Sequence, residues 1–190
     1  MTLRPARPSP DVVDTVRSHL SSLAAQPEFP KRGLTQSEFS RLELAVPHNV
    51  YTLGLEELSA GASIHQAQPV GQRFLVMDGD TPVSSAEVTP EGGGFQANEG
   101  PFVAATAEAI EQAEQDPALA DGHYELRLLR IPALYIMALW LKDDDGDGDR
   151  IIPLSPAPEP LEAGRHYRPD ELMRELTRMA AARRQFDDTG

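Results

Sequence analysis

Apolar positions recur at helical spacing in three separate stretches of the chain. In PDVVDTVRSHLSSLAAQ, Val12, Val13, Val16, Leu20 and Leu23 fall on one face behind Ser9 or Asp11 as a cap, which predicts a short amphipathic helix. In GPFVAATAEAIEQAEQD, Pro101 suits a first helical position. Phe102, Thr106, Ala109, Ile110 and Ala113 make its inner face, and Glu108, Glu111 and Glu114 lie on the other side. RPDELMRELTRMAAARR opens on Pro169 and acids and closes on arginines, the polarity a helix dipole prefers, with Leu172, Leu176, Met179 and Ala180 as a docking stripe. A further short helix is expected in LTQSEFSRLEL, starting near Thr35 or Ser37.

The remaining apolar runs read as strands. VYTLGLEEL opens the central region as one candidate, and RFLVMDGDTPVSSAEV is two β-tolerant runs joined at Asp78-Gly79, a dipeptide suited to a tight hairpin. HYELRLLRIPALYIMALWLKD first alternates and then turns apolar on both parities from Ala133 to Leu141. A strand covered on both faces has that pattern, and it places Trp140 in the core. After an Asp/Gly cluster, RIIPLSP is expected to pair back as a short strand, with Pro153 at an edge or strand end. Helices and strands do not alternate strictly. The expected class is therefore α+β, with a mainly antiparallel sheet of about four to five strands and helices packed mostly on one face.

The 190 residues suit one domain with extensions. Residues 1–50 read as a Pro-rich N-terminal extension with one or two short helices, 51–163 as an acidic α+β core domain, and 164–190 as a C-terminal amphipathic helix packing on that core. The absence of cysteine removes disulfides, thiolate zinc sites and cysteine nucleophiles. PALYIMALWL is about half of the roughly 20 residues a membrane-crossing helix needs, and the opening residues lack the apolar segment of a secretory signal. A cytoplasmic location is expected.

Charge changes the picture, because the net −13 is concentrated in one region. Residues 51–163 hold 20 acidic and 5 basic side chains, while the two flanking segments each carry a net +1. Nucleic acid, which is bound through Lys and Arg, would be repelled by such a surface, and a basic protein would be attracted.

The densest candidate chemistry is LWLKDDDGDGDR. With Asp143 at the first position of a calcium loop, Asp145, Asp147, Gly148 and Asp149 fall on the third, fifth, sixth and seventh. Arg150 then stands where an apolar residue belongs and Leu154 where the closing Glu should be, so the stretch is expected to be a hairpin turn, with a weak, irregular calcium site as the alternative. The five histidines (19, 48, 65, 123 and 166) have no metal-site spacing and are expected to be single surface or satisfied groups. No GxSxG elbow, P-loop or GxGxxG occurs. Ser84 and Ser85 are expected on solvent-facing strand positions. Arg127 and Arg130 are expected to pair with Glu87, Glu125 or the acidic helix, with anion binding in a cleft as the functional alternative. Arg174, Arg178, Arg183 and Arg184 suit docking onto the acidic middle region or binding another chain, although local pairing with Asp170, Glu171 and Glu175 accounts for much of that signal.

No residue is assigned a catalytic, cofactor-binding or metal role, and no cofactor is implied. The function expected is a non-catalytic cytoplasmic domain that binds a protein partner, a basic one being favoured, in an accessory, immunity-like or chaperone-like role. The alternatives are an enzyme whose site is assembled from dispersed residues, with His65, His123 and Arg130 the first to examine, or a structural subunit of a larger assembly.

Overall fold

The computed structural model describes residues 1–25, 34, 39–90, 94–144, 146 and 148–187. A sheet runs through it in the order β5-β4-β3-β2-β6-β7-β8. These strands are β2 (Leu42–Thr52), β3 (Gln68–Asp78), β4 (Thr81–Val88), β5 (Phe95–Asn98), β6 (His123–Ile131), β7 (Ile136–Asp143) and β8 (Arg150–Pro153). An eighth strand, β1 (Thr2–Arg4), pairs parallel with the first part of β6, and β2 pairs parallel with its second part; the other ladders are antiparallel. The class is α+β as expected, but the sheet is mixed and larger than four to five strands.

Besides the unanticipated β5, sequence pattern misleads in three places. VYTLGLEEL is not one strand: β2 ends at Thr52 and a short helix, α2 (Leu55–Ser59), follows. β2 itself begins at Leu42, so the stretch expected as a helix runs from a 3-10 turn at Phe39–Arg41 straight into a strand; Thr35 and Ser37 lie outside the described residues. Residues 1–50 therefore supply β1 and most of a strand that sits between β3 and β6, which makes them part of the sheet and not an extension of it. Finally, the run from His123 to Asp143 is two strands. Pro132 cannot donate to the ladder, the chain turns through a 3-10 step with Tyr135 at φ 55°, and Ile131 then pairs with Ile136.

Three of the four helices lie on one face. They are α1 (Pro10–Ala24), capped by the Ser9 hydroxyl accepting from the Val12 amide at 3.3 Å, α2, and α4 (Pro169–Asp187). Leu172, Leu176 and Ala180 of α4 and Leu58 of α2 pack there on Leu129, Ile131, Ala138 and Trp140, while Val16 and Leu20 of α1 pack on Phe74, Val76 and Ala86. α3 (Pro101–Gln115) covers the other face, its Ala105, Ala109, Ile110 and Ala113 against Leu126, Leu128, Leu139 and Leu141. β6 and β7 are thus buried on both sides, which accounts for apolar residues at both parities. The Asp78-Gly79 hairpin forms as expected. Asp78 pairs with Thr81, and Gly79, at φ 60°, takes the conformation that a side chain would disfavour. Gly71 allows close packing in the bulged part of β3, where a Cβ would lie 2.4 Å from the Val88 carbonyl oxygen.

His48 of β2 is fully buried opposite Arg73 of β3. Its Nδ1 bonds the Val46 carbonyl at 2.7 Å and its Nε2 has no partner. Burial, followed by the charge of Arg73, lowers its pKa from 6.5 to about 4. In the unfolded chain the ring gains a proton near pH 6.5, but in the folded chain only near 4, so its contribution to stability is lost as pH falls across that window. The full loss is on the order of 3 kcal/mol. Denaturant unfolding of wild type and His48→Gln at pH 7.5, 6 and 4.5 should show the wild type losing more stability than the variant on acidification; a constant gap would contradict this.

Candidate functional site

Side chains from five strands converge with the start of α3 on a pocket of about 270 Å³ on the α3 face. The alternation of each strand brings them there. Arg73 of β3 and Glu87 of β4 are direct cross-strand partners, as are Ser85 and Asn98 across β4 and β5, and Arg130 and Met137 across β6 and β7. Gly100, Pro101, Phe102 and Val103 form the opposite wall.

Arg73 is the central feature. It is 3 % exposed, and the hydrogen bonds it makes run from Nη1 to neutral groups, the Thr106 hydroxyl at 3.1 Å and the Met137 sulfur at 3.6 Å. Among the described residues no carboxylate stands at ion-pair distance from it. Glu87, its cross-strand neighbour, instead takes a two-pronged bond from Arg130, at 3.1 and 3.2 Å. Burial pulls the pKa of Arg73 down to about 10; the charge of Glu87 works against this and that of Arg130 adds to it. The guanidinium therefore stays charged at neutral pH.

Two further groups at the pocket lack partners. Ser85 is 1 % exposed and its hydroxyl makes no hydrogen bond among the described residues. α3 starts at Gly100, which has no side chain with which to cap the helix, so the partial positive charge of the helix start is not answered there by a polar side chain. A buried guanidinium, an unused hydroxyl and an uncapped helix start all favour an incoming group with negative oxygens.

The residues singled out in the sequence fall in several places. Arg130 and Arg127 make the expected pairs, Arg130 with Glu87 and Arg127 with Glu125 at 2.6 Å. Arg127 also lies over the rings of Tyr51 and Trp140, at 4.7 and 4.9 Å. Of the two, only Arg130 borders this pocket. His65 lies on the opposite face of the sheet, 6.1 Å from the Trp140 ring, and His123 is exposed at the start of β6, so the trio His65, His123 and Arg130 is not brought together. His19 stacks on Phe95 at 4.7 Å, and His166 approaches Asp116 at 3.1 Å. Ser84 and Ser85, expected to face solvent, are both buried, because β4 lies between two strands and both of its faces are covered at this point. Arg178 pairs with Glu175, and the Arg174 Nε donates to the Asp170 carbonyl. Arg73 was not anticipated. Its only signal in the sequence was a cation at the same strand parity as Leu75 and Met77.

The Asp/Gly cluster forms the β7–β8 turn. Asp149, 1 % exposed, accepts from the Trp140 indole Nε1 at 2.8 Å, the Asp143 amide at 2.9 Å and Lys142 Nζ at 3.2 Å. Asp143 accepts in turn from the Gly148 amide at 2.9 Å. These two carboxylates are occupied by the turn's own donors; Asp145 and Asp147 lie outside the described residues. No cluster of three or more His, Cys, Asp or Glu suited to a metal occurs among the described residues, and no described helix is long and apolar enough to cross a membrane. Comparison of the chain with protein families, curated proteins and solved structures finds no match.

The two buried charges should respond differently to removal. Asp149→Ala strands the Trp140 N–H and the Asp143 amide and is expected to cost about 2–4 kcal/mol in denaturant unfolding. Arg73→Met removes a buried cation that has no carboxylate at contact distance and keeps an unbranched apolar stem, so stability should be unchanged or raised by about 1 kcal/mol. A loss of several kcal/mol in the Met variant would show that Arg73 is there to hold the fold.

Proposed function

We propose that the protein is a non-catalytic binding domain and that the pocket at the start of α3 receives the anionic group of its ligand. The observation that carries this reading is Arg73, a charged guanidinium 3 % exposed, lining a cavity and hydrogen-bonded only to neutral groups. Keeping an ion out of water costs several kcal/mol unless something compensates it. An anion arriving in the pocket supplies that compensation.

Thermal unfolding at neutral pH with acetate, isobutyrate, sulfate and phosphate, each added separately to chloride-free buffer, tests this. At least one of these anions should raise the midpoint in a concentration-dependent way. Saturation to about 100 times the dissociation constant corresponds to about 2.7 kcal/mol. Arg73→Met should remove the response. If no anion shifts the wild type, or if the variant responds equally, the reading fails.

A second reading draws on the charge partition, with its 20 acidic and 5 basic side chains in residues 51–163. A protein partner with a basic surface would be attracted by that exterior. Its association should weaken steeply between low and high salt; retention of the same partner at both would count against an electrostatic contact.

A further inference from the structure

Building on the anion-binding reading, we infer that the ligand is a small monocarboxylate with a short apolar body, and not a phosphate. The charges around the pocket set the first limit. Arg130 and Glu87 neutralise each other as an ion pair, and Glu99 accepts from the Leu34 amide at 3.3 Å. What remains for a ligand is the one guanidinium of Arg73 and the fractional positive charge at the start of α3, worth about half an elementary charge. A singly charged oxyanion matches that surplus. A doubly charged phosphate would exceed that surplus and leave negative charge uncompensated beside Glu87, in a chain whose net charge is already −13.

Geometry points the same way. A carboxylate has two oxygens in one plane, which a guanidinium fork meets side-on, and the Ser85 hydroxyl is a further donor without a partner. A phosphate needs donors on several sides, and the side chains of Phe102, Val103 and Met137 take up part of the wall instead. Apolar side chains there give a place for a hydrocarbon body. The volume of about 270 Å³ limits its size, since pockets for drug-sized ligands run from about 300 to 1,000 Å³.

Isothermal titration of the full chain at pH 8, where phosphate is mostly the dianion, separates the possibilities. The probes are acetate, isobutyrate, isovalerate, the neutral isobutyramide and inorganic phosphate. Affinity should rise roughly threefold to fourfold with each added carbon buried, from acetate to isovalerate. Isobutyramide and phosphate should bind at least tenfold more weakly than isobutyrate. Arg73→Met and, separately, Ser85→Ala should lower isobutyrate affinity, the first by tenfold or more. Phe102→Ala should lower isovalerate affinity more than acetate affinity. Should Arg73→Met fold poorly, Arg73→Lys, which keeps the charge but loses the fork, is expected to weaken carboxylates while retaining the fold. Phosphate binding that depends on Arg73, with no response to carboxylates, overturns this inference but leaves the anion-binding reading standing. Absence of binding by every anion removes both. Equal affinity for acetate and isovalerate overturns the apolar body.

Discussion

Burial of the β6–β7 hairpin on both faces is the constraint from which the rest of the architecture follows. Leu126, Leu128, Leu139 and Leu141 need cover on one side, and Leu129, Ile131, Ala138 and Trp140 on the other. One helix layer cannot serve both. α3 therefore packs on the first side, and α4 with α2 on the second, which leaves the β3–β4–β5 wing to be covered by α1 on the second side. On the first side, the start of α3 leaves part of that wing open. The pocket lies where the helix cover gives out, so its position is a by-product of how the hairpin is clad.

The polar groups inside this frame fall into two kinds. Asp149, Glu87 and Arg130 have partners that offset their removal from water, and each ties two segments together. Arg73, His48 and Ser85 sit close together in the sheet order, on β3 and its two neighbours, and each retains an unmet electrostatic need. Stable cores do not gather such groups without cause, since each one costs free energy that an apolar residue would not. Two of them, Arg73 and Ser85, line the cavity, and His48 lies opposite Arg73 on the neighbouring strand.

Much of the fold was legible because helices with one buried face announce themselves by spacing. α1, α3 and α4, the Asp78-Gly79 turn, the interior position of Trp140 and the return through β8 all follow from local pattern. The extra strands did not, for reasons particular to their residues. β2 carries Pro47 and buries His48, so LELAVPHNVYT lacks the alternation of a strand, and Pro132 interrupts a run whose apolar flanks conceal a turn. Half of the site was accessible from sequence in the form of Arg130 and its pairing with Glu87. The other half depended on long-range strand order. Arg73 in GQRFLVMD looks like any strand cation until β2, β4 and α3 close around it, and Ser85 looks solvated until β5 adds beyond β4.

The bond between the Trp140 indole and Asp149 also gives this chain a built-in optical reporter. Trp140 is the sole tryptophan, is sealed from solvent, and is tied directly to the carboxylate that closes the β7–β8 turn. Its other neighbours are the guanidinium of Arg127 and the ring of Tyr51, which belongs to a different strand. Intrinsic fluorescence from this one fluorophore thus senses the turn and the sheet interior at once, so water reaching either is reported without attaching a label.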